Sequence, residues 1–457
     1  MVILELSEAE KHFLNRYVAE GKLPTFAKLL QEGQFIKTDI ASQSFAKGKI
    51  KHLTPWTIWP SIYTGMAPKE HGMIGFGQDN TSLESQCLWN YLNRKGLTTG
   101  ILGSLINAPI QRNQRCLFYL PNKLIGLKGF FLEILKAIQS FFPFTNQSNR
   151  SSIAMAIKLS GQSFYKTLKN SLLSITKEND VLSQAKLQIN IFHTLYKIFR
   201  PDFATLHLDH IAKAQHLYWR AAEPENFQDK LGELDNYFFA SLEARKAHDV
   251  FFKDIILNSF ILVDNFLKEM LSYLDNNVLL AIITGLGQKK RDPVDEIHKP
   301  KVHFYNIKKL FTLLNVENCE ILSQMNPEIT LKFQNSAEAS LSAFKLSGVK
   351  ILGEYPLFQV EQIENQLFLK ESLPSNIWFL GPQAWVENKS NELIFLLFDY
   401  VKLEEKHQYT AKNSRKGWIL LYGNLGELPQ ISKTLDITEI FPLLLSYFDD
   451  NLIALDK

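Results

Sequence analysis

The chain is a succession of short apolar runs separated by amphipathic stretches. Val2 to Leu6 is a short run with no polar alternation, Glu5 being its one charged residue, which predicts a buried parallel strand. Ser7 follows as a candidate N-cap, with Glu8 and Glu10 in the first helical turn, where the helix dipole favours negative charge. Gly21 punctuates that helix. Leu23 to Gly33 predicts a second helix ended by its glycine, and a strand follows near Phe35 to Ile40. The pattern recurs: helix over Leu83 to Leu92, a strand within Leu97 to Leu105, then helix over Val181 to Phe199 and strand over Asp202 to Leu208. A helical stretch from about Asn236 to Leu274 leads into the clearest buried strand, Val278 to Thr284, and Trp418 to Tyr422 is a last central strand. Such alternation predicts an α/β fold, a mostly parallel sheet sandwiched by helices. Ligands in these sheets bind beyond the carboxyl ends of the strands, here Leu6-Ser7, Leu208-Asp209 and Ile283-Thr284, with Gly423 as a fourth strand end.

Two regions depart from the alternation. Lys123 to Lys177, rich in Phe, Leu, Lys and Ser, predicts an inserted helical cap, and Glu320 to Asp399 carries short β-like runs that predict a small β-rich extension. The expected organisation is a core over 1–122, 178–319 and 400–457, a cap over 123–177 and a β-rich unit over 320–399. Gln288 to Lys301, charged and containing Pro293 and Pro300, reads as a loop.

Composition narrows the function classes. The 457 residues hold 50 Lys and Arg against 47 Asp and Glu, a balance that argues against a nucleic-acid partner. Cys87, Cys116 and Cys319 are far apart, so neither a CxxC metal site nor a disulfide framework is expected. The start lacks a basic n-region and no apolar run is long enough to span a bilayer, which predicts a soluble, cytoplasmic protein. Leu127 to Phe144 repeats Phe130, Ile134, Ile138 and Phe142 at helical spacing. Packing against the body is favoured there over contact with a membrane surface or a partner.

Chemistry concentrates in Leu53 to Phe76, where prolines, hydroxyl residues, a Thr-Gly pair and a His-Gly pair suit a tight turn into a helix N-terminus. Such a turn presents a hydroxyl to an anion; a proline-rich loop packing two tryptophans is the plainer reading. The chain resembles the type I phosphodiesterase/nucleotide pyrophosphatase branch of the alkaline phosphatase superfamily. The ordered landmarks are Gly21-Lys22-Leu23-Pro24; Trp59-Pro60-Ser61 with Thr64-Gly65 and Pro68; His71-Gly72 and Gly75-Phe76; Gln215-His216; Ile282-Ile283-Thr284; and Gly417-Trp418. The resemblance implies an alkaline-phosphatase-like α/β fold with a helical cap and, in active members, two metal ions beside a threonine or serine nucleophile.

The same alignment implies that this chemistry is altered. The metal-binding Asp after the first strand falls on Ser7, and a second falls on Ala212. The Ser-Asp-His-Gly turn falls on Thr284-Gly285-Leu286-Gly287, and the late metal-binding His on Ser414 or Asn413. His216 alone is retained. The nucleophile position falls on Pro55, with Thr54 adjacent and Thr57 two residues on. One lone imidazole does not supply the donors a pair of dications needs, so no metal and no cofactor are expected. Glu5-Leu6-Ser7-Glu8, Pro55-Trp56-Thr57-Ile58-Trp59, Gln215-His216 and Gln288 resemble a less familiar branch associated with surface-polysaccharide genes.

The expected site is therefore Thr54, Thr57 and His216 as catalytic candidates, with Ser7, Trp56, Trp59, Asp209, Gln215 and Gln288 against the ligand. His216 would be the acid–base group, and Glu5 and Glu8 are further acid–base candidates. Trp56 and Trp59 read as stacking or packing aromatics. His207, Asp209, His210 and His216 read as a hydrogen-bonded structural cluster, with a single-metal site as the alternative. Two function classes follow: a catalytically altered or silent protein binding a phosphorylated or glycan-type small molecule, and an atypical metal-independent hydrolase or transferase. The oligomeric state is open.

Overall fold

The structure, a computed structural model, describes residues 1–40, 54–73, 83, 86–106, 115–120, 181–227, 241–275 and 277–291. It also describes 302–304, 311–312, 314–325, 328–351, 355–372, 385–387, 393–395, 398–400, 410–424 and 434–455. The expected cap over 123–177, with its Leu127 to Phe144 segment, lies outside the described residues.

The apolar run at the start forms strand β1 (Val2–Leu6), buried along its whole length because it lies inside an eight-stranded sheet. With β2 (Gln34–Asp39), β3 (Thr99–Leu102), β4 (Cys116–Leu120), β5 (Phe203–Leu208) and β6 (Leu280–Ile283), the sheet order is Thr434–Asp436, β2, Gly417–Tyr422, β6, β1, β5, β3, β4. All neighbouring pairs are parallel except those made by Gly417–Tyr422, which runs antiparallel between β2 and β6. Opposition of Leu6 with Leu208, and of Glu5 with both His207 and Ile283, levels the carboxyl ends of β5, β1 and β6.

Strand alternation sends Leu4 and Leu6 to one face and Ile3 and Glu5 to the other. The first face packs on the helices Lys11–Ala19, Val181–Phe199 and Ile255–Leu271 through Phe13, Phe192 and Phe260. The second packs on Ile58, Trp59, Ile62 and Tyr63 of the helix Pro55–Thr64. This is the mostly parallel, helix-sandwiched α/β fold expected.

Several local expectations need correction. The first helix begins at Lys11, not at Ser7. Glu8 takes a left-handed backbone (φ 57°), and Glu10 occupies the N-cap, its carboxylate accepting from the His12 N–H. The chain must turn back over the end of β6 before a helix can start, and the Glu8 N–H donating to the Thr284 carbonyl at 3.1 Å marks that turn. The long helical stretch is two helices, Leu242–Phe252 and Ile255–Leu271. The expected loop at Gln288 opens within a strand, β7 (Gly287–Lys290), paired antiparallel with Ala411–Ser414.

Further along, Phe358–Ile363, Gln366–Glu371, Glu328–Lys332 and Glu320–Met325 form an antiparallel sheet. It has an apolar cluster of its own that includes Ile329, Leu331, Leu367 and Leu369. The helix Ser336–Ser347 contributes Ala339 and Leu346 to it; sequence reading missed this helix. Among the described residues no helix is long and apolar enough to cross a membrane.

Candidate functional site

Four segments meet at the carboxyl edge of the sheet: Ser7–Glu10 after β1, the helix His210–Ala222 after β5, Thr284–Gln288 after β6, and Ala411–Ser414. They are held by side-chain amides. Gln215 acts as a clasp, its Nε2 donating to the Glu8 carbonyl at 2.9 Å and its Oε1 accepting from the Glu10 N–H at 2.9 Å. Gln288 donates through Nε2 to Glu8 Oε2 at 2.6 Å and to the Ala212 carbonyl at 3.2 Å. Its backbone N–H reaches Glu10 Oε2 at 3.0 Å. Gln288 Oε1 is buried and has no partner. Gln215→Leu should lower stability by about 2 kcal/mol, because it strands a buried carbonyl and a buried N–H. Urea unfolding checks this, and an unchanged midpoint would refute the clasp.

Glu8 and His216 are the charged centre. His216 Nε2 lies 3.0 Å from Glu8 Oε2, and Nδ1 lies 3.0 Å from the Ala411 carbonyl. Both neighbours are acceptors, so a ring that satisfies both must carry both protons, an imidazolium. Burial pulls its pKa down, but the Glu8 carboxylate outweighs burial and raises it above the ordinary imidazole value; Arg291 opposes that rise. Arg291 was missed in the sequence, where it ends the run Gln288-Lys289-Lys290-Arg291 that reads as solvated loop. Its Nε and Nη1 are buried without a partner.

Thr54 sits at the N-cap of the helix Pro55–Thr64 without making a capping bond, in the extended backbone favoured before proline. Its Oγ1 is buried and unpartnered. One turn on, Ile58 lies against Gly285, whose positive φ of 68° and lack of a side chain let the helix close over the end of β6. Thr57 is fully buried and donates through Oγ1 to the Thr54 carbonyl at 2.9 Å. Ser61 Oγ is 3.0 Å from His71 Nε2, while His71 Nδ1 accepts from the Met73 N–H at 3.0 Å. That fixes Nε2 as a donor, and burial pushes the His71 pKa down to about 4. His71 is thus neutral and cannot take a proton from Ser61.

The other candidates are dispersed. Ser7 is buried, its N–H donating to the Leu208 carbonyl, and Trp56 is half-buried. Trp59 is in the core, its ring edge-on to His207 at 5.3 Å and stacked near Tyr63. Asp209 pairs with Lys213 at 2.8 Å, an attraction that overcomes burial and holds the carboxyl below the usual range. The anticipated cluster of His207, Asp209, His210 and His216 does not assemble. His207 turns to Glu5, His210 donates to the Ser259 carbonyl at 3.2 Å with its pKa pushed down to about 4 by burial, and His216 turns to Glu8. Glu5, a further acid–base candidate, is not at the sheet edge. It is wholly buried on the Ile3 face, accepting from Tyr63 Oη at 2.6 Å and from Thr205, with His207 Nδ1 at 2.8 Å. Among the described residues no group of three or more His, Cys, Asp and Glu is arranged to hold a metal ion.

The chain is similar in fold to phosphonoacetate hydrolase from Sinorhizobium meliloti 1021, at 12% identity and a TM-score of 0.40, covering 98% of this chain and 95% of that one. It is likewise similar to human ectonucleotide pyrophosphatase/phosphodiesterase 5, at 10% identity and a TM-score of 0.38, covering 98% and 94%. No curated protein matches the sequence. The sequence profile of type I phosphodiesterases and nucleotide pyrophosphatases matches residues 10–289, and this chain belongs to that family.

Proposed function

We propose that this protein is a metal-independent, catalytically altered member of its family that binds a phosphorylated or glycan-type anionic ligand at the carboxyl edge of the sheet. The observation that carries the reading is the commitment of both His216 nitrogens, to Glu8 and to the Ala411 carbonyl. An imidazole metal ligand needs a bare nitrogen lone pair, and this ring has none to offer. The residues aligned with the family's other metal ligands, Ser7, Ala212, Gly285 and Leu286, add no carboxylate or imidazole. The residues present do not fit a pair of dications. In their place the site carries His216 and Arg291 beside the Glu8 and Glu10 carboxylates. The buried, unpartnered Nε and Nη1 of Arg291 are donors suited to a ligand oxygen.

A second reading is a metal-independent hydrolase or transferase in surface-polysaccharide metabolism. It is favoured by one observation, the buried and unpartnered Thr54 Oγ1 at the helix N-cap. There a threonine would be the attacking group, but no base among the described residues hydrogen-bonds to it.

Zinc loading followed by desalting and elemental analysis should leave far less than one metal per chain. Hydrolysis of bis(p-nitrophenyl) phosphate should be flat with and without zinc. Pyrophosphate should raise the melting temperature of the wild type, and Arg291→Gln should weaken that binding by about tenfold. Two tightly held zinc ions with zinc-dependent hydrolysis would overturn the proposal. Zinc-independent hydrolysis abolished by Thr54→Ala would establish the second reading instead.

A further inference from the structure

The helix His210–Ala222 is not regular. Tyr218 has φ −123° and ψ 16°, outside the helical region, and breaks of this kind arise where a side chain enters the i→i−4 ladder. The entrant is Thr410, which is only 5% exposed and directly precedes the strand Ala411–Ser414. In an unbroken helix the Trp219 N–H would point to the Gln215 carbonyl. Here it donates to Thr410 Oγ1 at 3.0 Å, and that hydroxyl donates in turn to the His216 carbonyl at 3.2 Å. The Thr410 N–H reaches the same carbonyl at 2.6 Å. A hydroxyl both gives a proton and accepts one, so a threonine can bridge a donor and an acceptor on one broken turn; an apolar side chain can do neither.

The break separates two tasks. The turn before it carries Gln215 and His216 to the sheet edge, where they meet Glu8 and Glu10. The turn after it sends Trp219 into the core, its ring edge-on to Phe13 at 4.7 Å and its Nε1 donating to Glu223 at 3.0 Å. Thr410 also reaches the far side of the site, its carbonyl accepting from the Arg291 N–H at 2.9 Å. The next carbonyl, that of Ala411, is the one that holds His216 Nδ1 at 3.0 Å. Two consecutive residues thus grip His216 at its backbone and at its ring, and the first of them grips Arg291 as well. The strand Ala411–Ser414 is paired with β7 along its whole length, so its docking does not depend on the Thr410 hydroxyl.

We propose that Thr410 is a positioning residue for the anion site: its hydroxyl, wedged into the helix between Trp219 and His216, sets the His216 imidazole between Glu8 and the Ala411 carbonyl. The inference rests on the reading of Glu8, His216 and Arg291 as that site. Thr410 acts through His216, in the way that a supporting residue fixes the geometry of a group that meets the ligand.

Nuclear magnetic resonance of the full chain carrying isotope-labelled histidine tests it, together with calorimetric titration of pyrophosphate. Wild type should show a His216 Nδ1–H signal protected from solvent exchange, assigned by its absence from His216→Gln, because the Ala411 carbonyl holds that proton. Thr410→Val, of the same shape but without the hydroxyl, should lose the signal and bind pyrophosphate about tenfold more weakly. Thr410→Ala, in which water can reach the Trp219 N–H, should show the same losses and serves if the valine variant fails to fold. Thr410→Ser restores the hydroxyl and should recover the signal, with affinity within about threefold of wild type. A signal retained in the folded valine or alanine variant, or lost in the serine variant, would overturn the proposal, since Thr410 would then only pack. Pyrophosphate that fails to bind wild type would overturn the ligand reading instead, and loss of the ring signal in Thr410→Val would still support the wedge.

Discussion

Replacing His216 with alanine is expected to lower the unfolding free energy by about 3 kcal/mol. That is the low end of the range for breaking a buried ion pair, since the His216 side chain keeps 23% of its exposure while Glu8 keeps 4%. The loss comes from stranding the Glu8 carboxylate with only the Gln288 amide to hold it. Its pH dependence has a definite sign. The folded-state pKa of His216 lies above the ordinary value of 6.5, so the pair stabilises fully below that value and its contribution fades as pH rises through the folded pKa. Wild type and Glu8→Gln should therefore differ most near about pH 6 and converge as pH rises through the folded-state pKa of His216 in urea unfolding. A gap that widens with rising pH would mean that His216 is neutral, and with it the argument against metal ligation would fall.

Glu5→Ala should be at least as damaging, about 3–5 kcal/mol, because the carboxylate is the shared acceptor for Tyr63, Thr205 and His207 in the middle of the apolar layer beneath the helix Pro55–Thr64. Burial, with Glu5 beside it, raises the Tyr63 pKa well above the ordinary phenol value, so that hydroxyl remains a donor left without its acceptor. Glu5→Gln should lose only about 1–2 kcal/mol. An amide oxygen still accepts from Tyr63, and its NH2 can face a His207 ring that has moved its proton to Nε2, which has no partner now. Denaturant titration followed by circular dichroism separates the two variants. Equal losses would show that net charge, not acceptor number, is what the site requires. Pyrophosphate binding should survive in Glu5→Gln, since Glu5 faces the core.

Much of the fold was legible in the sequence. Apolar runs bounded by helices marked β1, β5, β6 and the Gly417–Tyr422 strand, and the helix Val181–Phe199 was read to the residue. These are cases in which local hydrophobicity and period settle the element. The start of the first helix was not legible, because Ser7, Glu8 and Glu10 make a credible N-terminal turn whatever follows. Only the need to route the backbone across the end of β6 displaces the helix to Lys11. The single antiparallel strand was likewise hidden, since the direction of a buried strand leaves no trace in its apolar pattern.

Sequence by itself determined the strand-and-helix order and the family landmarks. These depend on residue identity and spacing along one chain. Tertiary structure alone decided which acid meets which base. Glu5 and Glu8 are three residues apart, yet a sharp turn sends one into the core toward His207 and the other to the sheet edge toward His216. Arg291 belongs to the same class of fact. Charge compensation is a property of distances between segments that a linear reading leaves unmeasured.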